Sequence, residues 1–175
     1  MLATPHDTVN EALRINRDTI NAAASRIAPY IIETPLIESP RLNEKLGIRL
    51  LVKAECLQHT GSFKLRGASN AVWSLEDTVT NVVAFSSGNH AQGVALAAAS
   101  RGLQATIVMP KDSPAGKIEG TKAYGANVVL YDRYTESRED IGADIAAKKH
   151  AHLIKPYDDP RVIAGQGTVG LEIAA

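Results

Sequence analysis

Residues 81–155 alternate short apolar stretches with helical ones, and this alternation limits the possible folds more than any other feature of the sequence. Runs rich in β-branched residues have the length of strands, and the segments between them have helical spacing or many alanines. The pattern predicts an α/β fold, a parallel sheet with helices on both faces and right-handed crossovers. The predicted strands are residues 82–85, 105–109, 127–131 and 152–155, and the predicted helices are residues 91–100, 115–124 and 136–149.

The N-terminal stretch predicts an amphipathic helix. Apolar residues recur on one stripe over residues 9–27, and Asp7 or Thr8 stands where a cap is needed. Asn16 interrupts the stripe. We therefore expect a packing helix that is less deeply buried in its middle.

Two predicted strands follow, on either side of a short helix. Residues 35–39 and 48–56 have strand patterns, and residues 40–46 form a helix that Gly47 ends. The only cysteine, Cys56, would end the second strand. We expect a buried, inert thiol there rather than a nucleophile or a metal ligand.

Composition narrows the classes of partner. The 175 residues include 19 basic and 19 acidic ones, so the formal net charge is zero and no field favours nucleic acid or an anionic membrane. A small neutral or zwitterionic ligand is a better match. No segment is apolar for long enough to span a bilayer, and residues 1–10 lack the apolar core of a signal peptide, so we expect a cytoplasmic protein.

Residues 61–68, Gly-Ser-Phe-Lys-Leu-Arg-Gly-Ala, predict a turn that delivers one lysine to the start of a helix. Gly61 permits the bend and Ser62 can serve as N-cap. Lys64 would then feel the positive end of the helix dipole, and shielding by Phe63 would further disfavour its ammonium form. The neutral amine can attack an aldehyde and form a Schiff base. The alternative is a solvated lysine on an amphipathic helix.

A second polar segment, residues 86–90, lies at the carboxyl end of the first strand of the sheet, where ligands bind in such folds. Its sequence, Ser-Ser-Gly-Asn-His, offers two hydroxyls and free backbone amides at a helix start, which attract an anion such as a carboxylate. An amino-acid substrate would fit. The alternative is a polar cap with His90 packed beside it.

Residues 165–170, Gly-Gln-Gly-Thr-Val-Gly, match the glycine spacing of a dinucleotide-binding turn but have the wrong context. No strand directly precedes them. Asp159 and Pro160 are typical of a helix start, so these glycines are predicted to lie inside a helix that begins near Arg161. We do not expect a nicotinamide site.

The lysine segment and the anion loop together resemble the fold type II pyridoxal-phosphate enzymes, specifically the threonine/serine dehydratase and serine racemase family. The order and spacing of several blocks carry this resemblance through most of the chain. The blocks are residues 53–55, 60–64, 66–68, 86–93, 123–126, 136–138, 156–160 and 163–168.

The resemblance implies pyridoxal 5'-phosphate as cofactor and a role for each residue at the site. Lys64 would bind the cofactor covalently and then remove the substrate α-proton, while Phe63 would pack near the cofactor ring. Asn89 would donate a hydrogen bond to the phenolic oxygen of the cofactor. Ser87 could act as a second acid or base opposite the lysine.

The same resemblance implies a substrate-binding loop and no metal ligands in this sequence. Ser86, Ser87, Gly88 and His90 would hold the substrate carboxylate, and Arg138 would line the substrate side, although it could equally be a solvated helix arginine. The implied substrate is threonine, serine or a related hydroxy amino acid, which a dehydratase (ammonia-lyase) converts to a 2-oxo acid and ammonia. Amino-acid racemisation is the alternative activity.

The family implies a two-domain architecture, which divides the chain into three parts. Residues 1–78 and 157–175 would belong to the larger domain, and residues 79–156 would form the smaller α/β domain. Family members are about twice as long, so the loop that binds the cofactor phosphate would lie beyond Ala175. We interpret the sequence as the N-terminal part of a homo-oligomeric enzyme, with a catalytically incomplete fragment or assembly partner as the alternative.

Overall fold

The computed structural model describes residues 15–175, and its centre is a parallel sheet of four strands. The strands are β3 (Asn81–Phe85), β4 (Gln104–Pro110), β5 (Asn127–Tyr131) and β6 (His152–Leu153). They stand in the order β5-β4-β3-β6, and all neighbouring pairs are parallel. The predicted α/β sheet is therefore confirmed.

Helices cover both faces of this sheet. On one face Val82, Ala84 and Ile107 pack against α4 (Asn89–Ser100) and α5 (Ala115–Ala123). On the other face Val83 and Val108 pack against α6 (Arg138–Lys149). Successive side chains of β3 thus enter opposite cores, which is why the strand is apolar throughout instead of alternating.

The N-terminal helix α1 (Arg17–Ile27) begins later than its apolar stripe suggested. Asn16, which was predicted to interrupt the apolar stripe within the helix, is its N-cap: the side chain accepts from Thr19 N (2.9 Å), and the Thr19 hydroxyl accepts from Asn16 N (3.0 Å). The predicted helical residues 9–14 and the caps Asp7 and Thr8 lie outside the described residues.

The next two strands form a separate antiparallel pair. The strands β1 (Leu36–Glu38) and β2 (Leu51–Lys53) flank α2 (Pro40–Leu46), which ends at Gly47 as predicted. The predicted strand 48–56 was too long, because the backbone leaves the extended conformation at Ala54 and turns into a short 3₁₀ helix, Glu55–Leu57. Cys56 lies in that turn and is exposed, so the prediction of a buried thiol was wrong.

Helix α3 (Lys64–Trp73) crosses the last helix, α7 (Pro160–Ala174), at a pair of glycines. A Cβ atom on Gly165 would stand 2.8 Å from Gly67 Cα and 2.5 Å from the Arg66 carbonyl oxygen. The glycines of residues 165–170 therefore lie inside a helix, as predicted, and the first of them allows a close helix crossing. Asp159 caps this helix by accepting from Arg161 N (2.9 Å).

None of the helices in the described part of the chain is both long and apolar enough to cross a bilayer.

Candidate active site

Lys64 is the first residue of α3 and is half-buried. Its Nζ atom donates to the carbonyl oxygen of Pro156 (3.4 Å) and lies 5.2 Å from the centroid of the Phe63 ring. Phe63 is 40% exposed. The ring therefore presents its face to the ammonium group, an attractive contact rather than the apolar shielding that the sequence suggested.

The turn before Lys64 differs from the sequence prediction in its cap. Gly61 has a φ of +69° and makes the predicted bend, but the Ser62 hydroxyl is buried without a hydrogen-bond partner among residues 15–175. The prediction of Ser62 as N-cap was wrong because the helical turn already includes Phe63. The amide of Leu65, which the hydroxyl would have bound, donates to the Ser62 carbonyl instead (3.5 Å).

The anion loop follows β3 directly. Ser86 N extends the sheet by donating to Val108 O (3.1 Å), and Ser86 Oγ accepts from Gly88 N (3.2 Å). Ser87 is exposed, and a Cβ atom built on Gly88 would meet nothing within 4 Å. The loop thus borders open space at the N-terminus of α4.

A close helix contact brings this loop to Lys64. A Cβ atom on Gly93 of α4 would lie only 3.2 Å from the Lys64 carbonyl oxygen. The first turn of α3 therefore packs against α4 one turn after the loop.

His90 ties the loop to the sheet. Its ring is 3% exposed, and Nε2 lies 3.3 Å from the carbonyl oxygen of Ile154, just after β6. The pKa of His90 is lowered to about 4, chiefly because the residue is buried. The nearby positive charge of Lys64 also lowers this pKa, whereas the hydrogen bond to the Ile154 carbonyl raises it. The neutral ring donates from Nε2 and keeps an acceptor at Nδ1, which has no partner in the described part of the chain.

The two remaining predicted residues are Asn89, in the loop itself, and Arg138. Asn89 is exposed, and its Oδ1 accepts from Lys117 Nζ (2.6 Å). Arg138 begins α6 with its guanidinium 5.1 Å from the centroid of the Phe85 ring, directly before the loop. A hydrogen bond to Glu139 raises the pKa of Arg138.

A buried charge network surrounds Arg66, two residues after Lys64 on the same helix, and the sequence did not predict it. Arg66 is fully buried and donates to both oxygens of Glu55 (2.8 and 2.9 Å) and of Glu172 (2.5 and 2.8 Å). Lys53 adds an ion pair to Glu172 (2.5 Å). Burial opposes ionisation of Glu172, but hydrogen bonds from Arg66 and Lys53 outweigh it and lower its pKa.

Little in the sequence could have revealed these partners. Arg66 stands next to Leu65 on an apolar helix, which hints at burial, but Glu172 is distant in sequence and carries no local signal. The same holds for Lys117, the partner of Asn89. Among residues 15–175 there is no cluster of three or more histidine, cysteine or acidic side chains that could hold a metal ion.

The residues present fit an aldehyde cofactor that carries anionic groups. Lys64 offers a primary amine, the loop at residues 86–90 borders open space, and the Ser62 hydroxyl, two residues before the lysine, is a buried donor without a partner among residues 15–175. Lys64 would hold such a group covalently. Phe63 and Asn89 would flank it.

Comparison with known proteins gives the same family. The profile of a family described as "Pyridoxal-phosphate dependent enzyme" matches residues 27–175. The L-threo-3-hydroxyaspartate ammonia-lyase of Saccharomyces cerevisiae is 50% identical over 86% of this chain and 47% of its own length. The catabolic L-threonine dehydratase of Staphylococcus aureus is 42% identical over 95% of this chain and 49% of its own.

A solved structure confirms the predicted fold class. The structure of maize serine racemase is 44% identical, covers 89% of this chain and 48% of that one, and has a TM-score of 0.86. The chain thus spans about half the length of the curated relatives that it matches. The match confirms the resemblance on which the sequence interpretation rested, and the chain belongs to the family of pyridoxal-phosphate-dependent enzymes.

Proposed function

We propose that the protein is an ammonia-lyase that converts a β-hydroxy amino acid, such as threonine or serine, to a 2-oxo acid and ammonia. The observation that supports this proposal is the close contact of α3 with α4, in which Gly93, one turn after the loop at residues 86–90, lies against the backbone of Lys64. This contact supports a site in which an amine that can abstract a proton works beside a loop that can bind a carboxylate.

Pyridoxal phosphate, when bound, supplies the electron sink that stabilises negative charge at the α-carbon. The hydroxyls of Ser86 and Ser87 and the backbone amide of Ser87 hold the substrate carboxylate. Lys64 Nζ takes the α-proton, and the β-hydroxyl leaves with a proton as water. The released enamine takes up one water and loses ammonia, so the net reaction converts the amino acid to a 2-oxo acid and ammonia.

Arg138 is proposed to distinguish among hydroxy amino acids. One relative is named for L-threo-3-hydroxyaspartate, which carries a second carboxylate. The Arg138 guanidinium stands beside Phe85 at the start of the loop, and its ion pair is with the exposed neighbour Glu139 (2.7 Å), so it is available for such a group. Arg138→Met should lower kcat/KM for 3-hydroxyaspartate about tenfold or more relative to threonine. An unchanged ratio would refute this role.

Amino-acid racemisation is the second candidate, because Ser87 is exposed on the loop and could return a proton to the α-carbon. Elimination needs one base, whereas racemisation needs a group on each face of the substrate. Ser87→Ala should therefore abolish racemisation while some elimination remains. Formation of 2-oxo acid and interconversion of enantiomers are followed in one preparation, and faster interconversion would make the racemase the main activity.

Borohydride reduction of the cofactor-loaded, full-length protein tests the role of Lys64. We expect a pyridoxyl group on the peptide that contains Lys64, and we expect Lys64→Ala to lose both the label and the formation of 2-oxo acid. Lys53 and Lys117 are internal controls because both are already engaged by other side chains. A label on either of them would contradict the assignment.

We also propose that the protein is a homo-oligomer. The strands β1 and β2 expose apolar side chains, among them Ile37 and Val52, which are each 48% exposed. Such surfaces commonly mark association sites. Light scattering on the full-length protein should give a multiple of the monomer mass, and a monomer at micromolar concentration would refute the proposal.

A further inference from the structure

Lys117 contacts the loop residue Asn89 from the neighbouring helix α5. Its ammonium group donates to Asn89 Oδ1 (2.6 Å) and to Gln92 Oε1 (3.0 Å), which are one turn apart on α4. Lys117 forms no ion pair with any carboxylate of the described residues. Its positive charge is therefore directed at two side-chain amides.

This contact decides which way the Asn89 amide faces. An ammonium group can only donate hydrogen bonds, so Asn89 must turn its oxygen to Lys117. The planar amide then directs its nitrogen to the opposite side, and Asn89 is exposed. Gln92 cannot replace Asn89 as the donor, because the Gln92 amide nitrogen packs tightly against Gly120. A Cβ atom on Gly120 would overlap with that nitrogen.

We propose that Lys117 is a positioning residue that fixes the Asn89 amide as a hydrogen-bond donor to an anionic oxygen of the cofactor. The proposal rests on the proposed function, in which Lys64 binds the pyridoxal aldehyde. The phenolic oxygen of pyridoxal is attached to the ring atom next to the one that bears the aldehyde. A donor backed by a positive charge suits an oxygen that carries negative charge.

The test measures the dissociation constant of pyridoxal phosphate from the full-length protein. Lys117→Met lets the amide turn over and removes the charge, so the dissociation constant should rise about tenfold or more. Lys117→Arg keeps a cationic donor and should restore binding to within about threefold of wild type. Lys122→Met is the control, since Lys122 lies on the same helix and pairs only with exposed Glu119 (2.9 Å).

A double-mutant cycle separates positioning from packing. If Lys117 acts through Asn89, then Lys117→Met should have no further effect on cofactor affinity once Asn89→Ala is present. Additive losses in the double variant, or a change within twofold in Lys117→Met alone, would overturn the proposal. Lys117→Ala replaces the methionine variant if circular dichroism shows that the latter is unfolded.

The outcomes also separate this proposal from the proposed function. If wild type fails to bind pyridoxal phosphate at Lys64, the proposed function fails. If wild type carries the label at Lys64 but Lys117→Met binds the cofactor normally, only the role of Lys117 is refuted. The visible absorption band of the bound cofactor provides a second readout, because its titration with pH should shift in Lys117→Met and not in Lys122→Met.

Discussion

Replacing Arg66 by methionine should destabilise the protein by about 3–5 kcal/mol at pH 7, the usual cost of removing one partner from a buried ion pair. Arg66 is fully buried and donates six hydrogen bonds, four of them to Glu55 and Glu172. Methionine fills the space without a charge. Lys53 still reaches Glu172 (2.5 Å), but among residues 15–175 the Glu55 carboxylate keeps only the Thr34 hydroxyl as a partner (2.6 Å).

Denaturant unfolding of the full-length protein, followed by fluorescence of Trp73, measures this loss. Trp73 stacks on Tyr30 with 4.1 Å between ring centroids, so its emission should change when α3 separates from the N-terminal segment. Arg133→Met is the matched control, because the Arg133–Asp112 pair (2.9 Å) has exposed partners. Such a surface pair contributes less than about 1 kcal/mol.

The pH dependence provides a sharper criterion. In wild type the pKa of Glu172 lies below its ordinary value of 4.5, because the hydrogen bonds from Arg66 and Lys53 outweigh burial. This stability is present above that ordinary value and is lost as the pH falls through the lowered pKa. In Arg66→Met, Glu172 loses the hydrogen bonds from Arg66 that offset its burial. Ionisation of Glu172 in the folded protein therefore becomes costly as the pH rises. The stability gap should therefore widen from pH 4 to pH 7, and a constant gap, or one equal to the Arg133 control, would refute the reasoning.

Two further predictions concern His90 and the helix crossing. The pKa of His90 is lowered from 6.5 to about 4, so the unfolded chain binds more protons between these values and wild type should lose about 2 kcal/mol of stability between pH 7 and pH 5. His90→Asn should remove that part of the pH dependence in denaturant titrations, and an unchanged slope would contradict the assignment. Gly165→Ala should cost about 2 kcal/mol or more, since its Cβ atom would meet the backbone of α3. Gly170→Ala, on the same helix with open space around it, should instead gain about 0.5–1 kcal/mol in thermal unfolding, and similar effects of both changes would refute the steric argument.

The sequence predicted well those features that depend on neighbouring residues. The apolar run at residues 127–131 matches β5 to the residue, and the cap formed by Asp159 and Pro160 is where it was expected. In each case the signal and the structure span only a few positions. The two core faces of the sheet follow because strands of this kind are buried on both sides.

Features that depend on distant partners were missed or wrong. Cys56 was assigned to a strand because the apolar pattern continues to it, but pairing with β1 ends at Lys53. The buried network joins Arg66 to Glu172 across 106 positions, and Lys117 reaches Asn89 across 28. No local pattern encodes such pairs, since they exist only after the helices have packed.

The crossing of α3 and α7 also limits how this protein can evolve. Many core substitutions are rescued when a neighbour becomes smaller by the volume that was added. At Gly165 this route is closed, because the atoms that an added Cβ would meet include the Arg66 carbonyl oxygen and the Gly67 Cα, which no change of side chain removes. Neither Gly165 nor Gly67 has a side chain that could be made smaller. A larger residue at one glycine therefore cannot be compensated by a substitution at the other. Variation at this point must instead move the helices apart, which would also move the helix that carries Lys64.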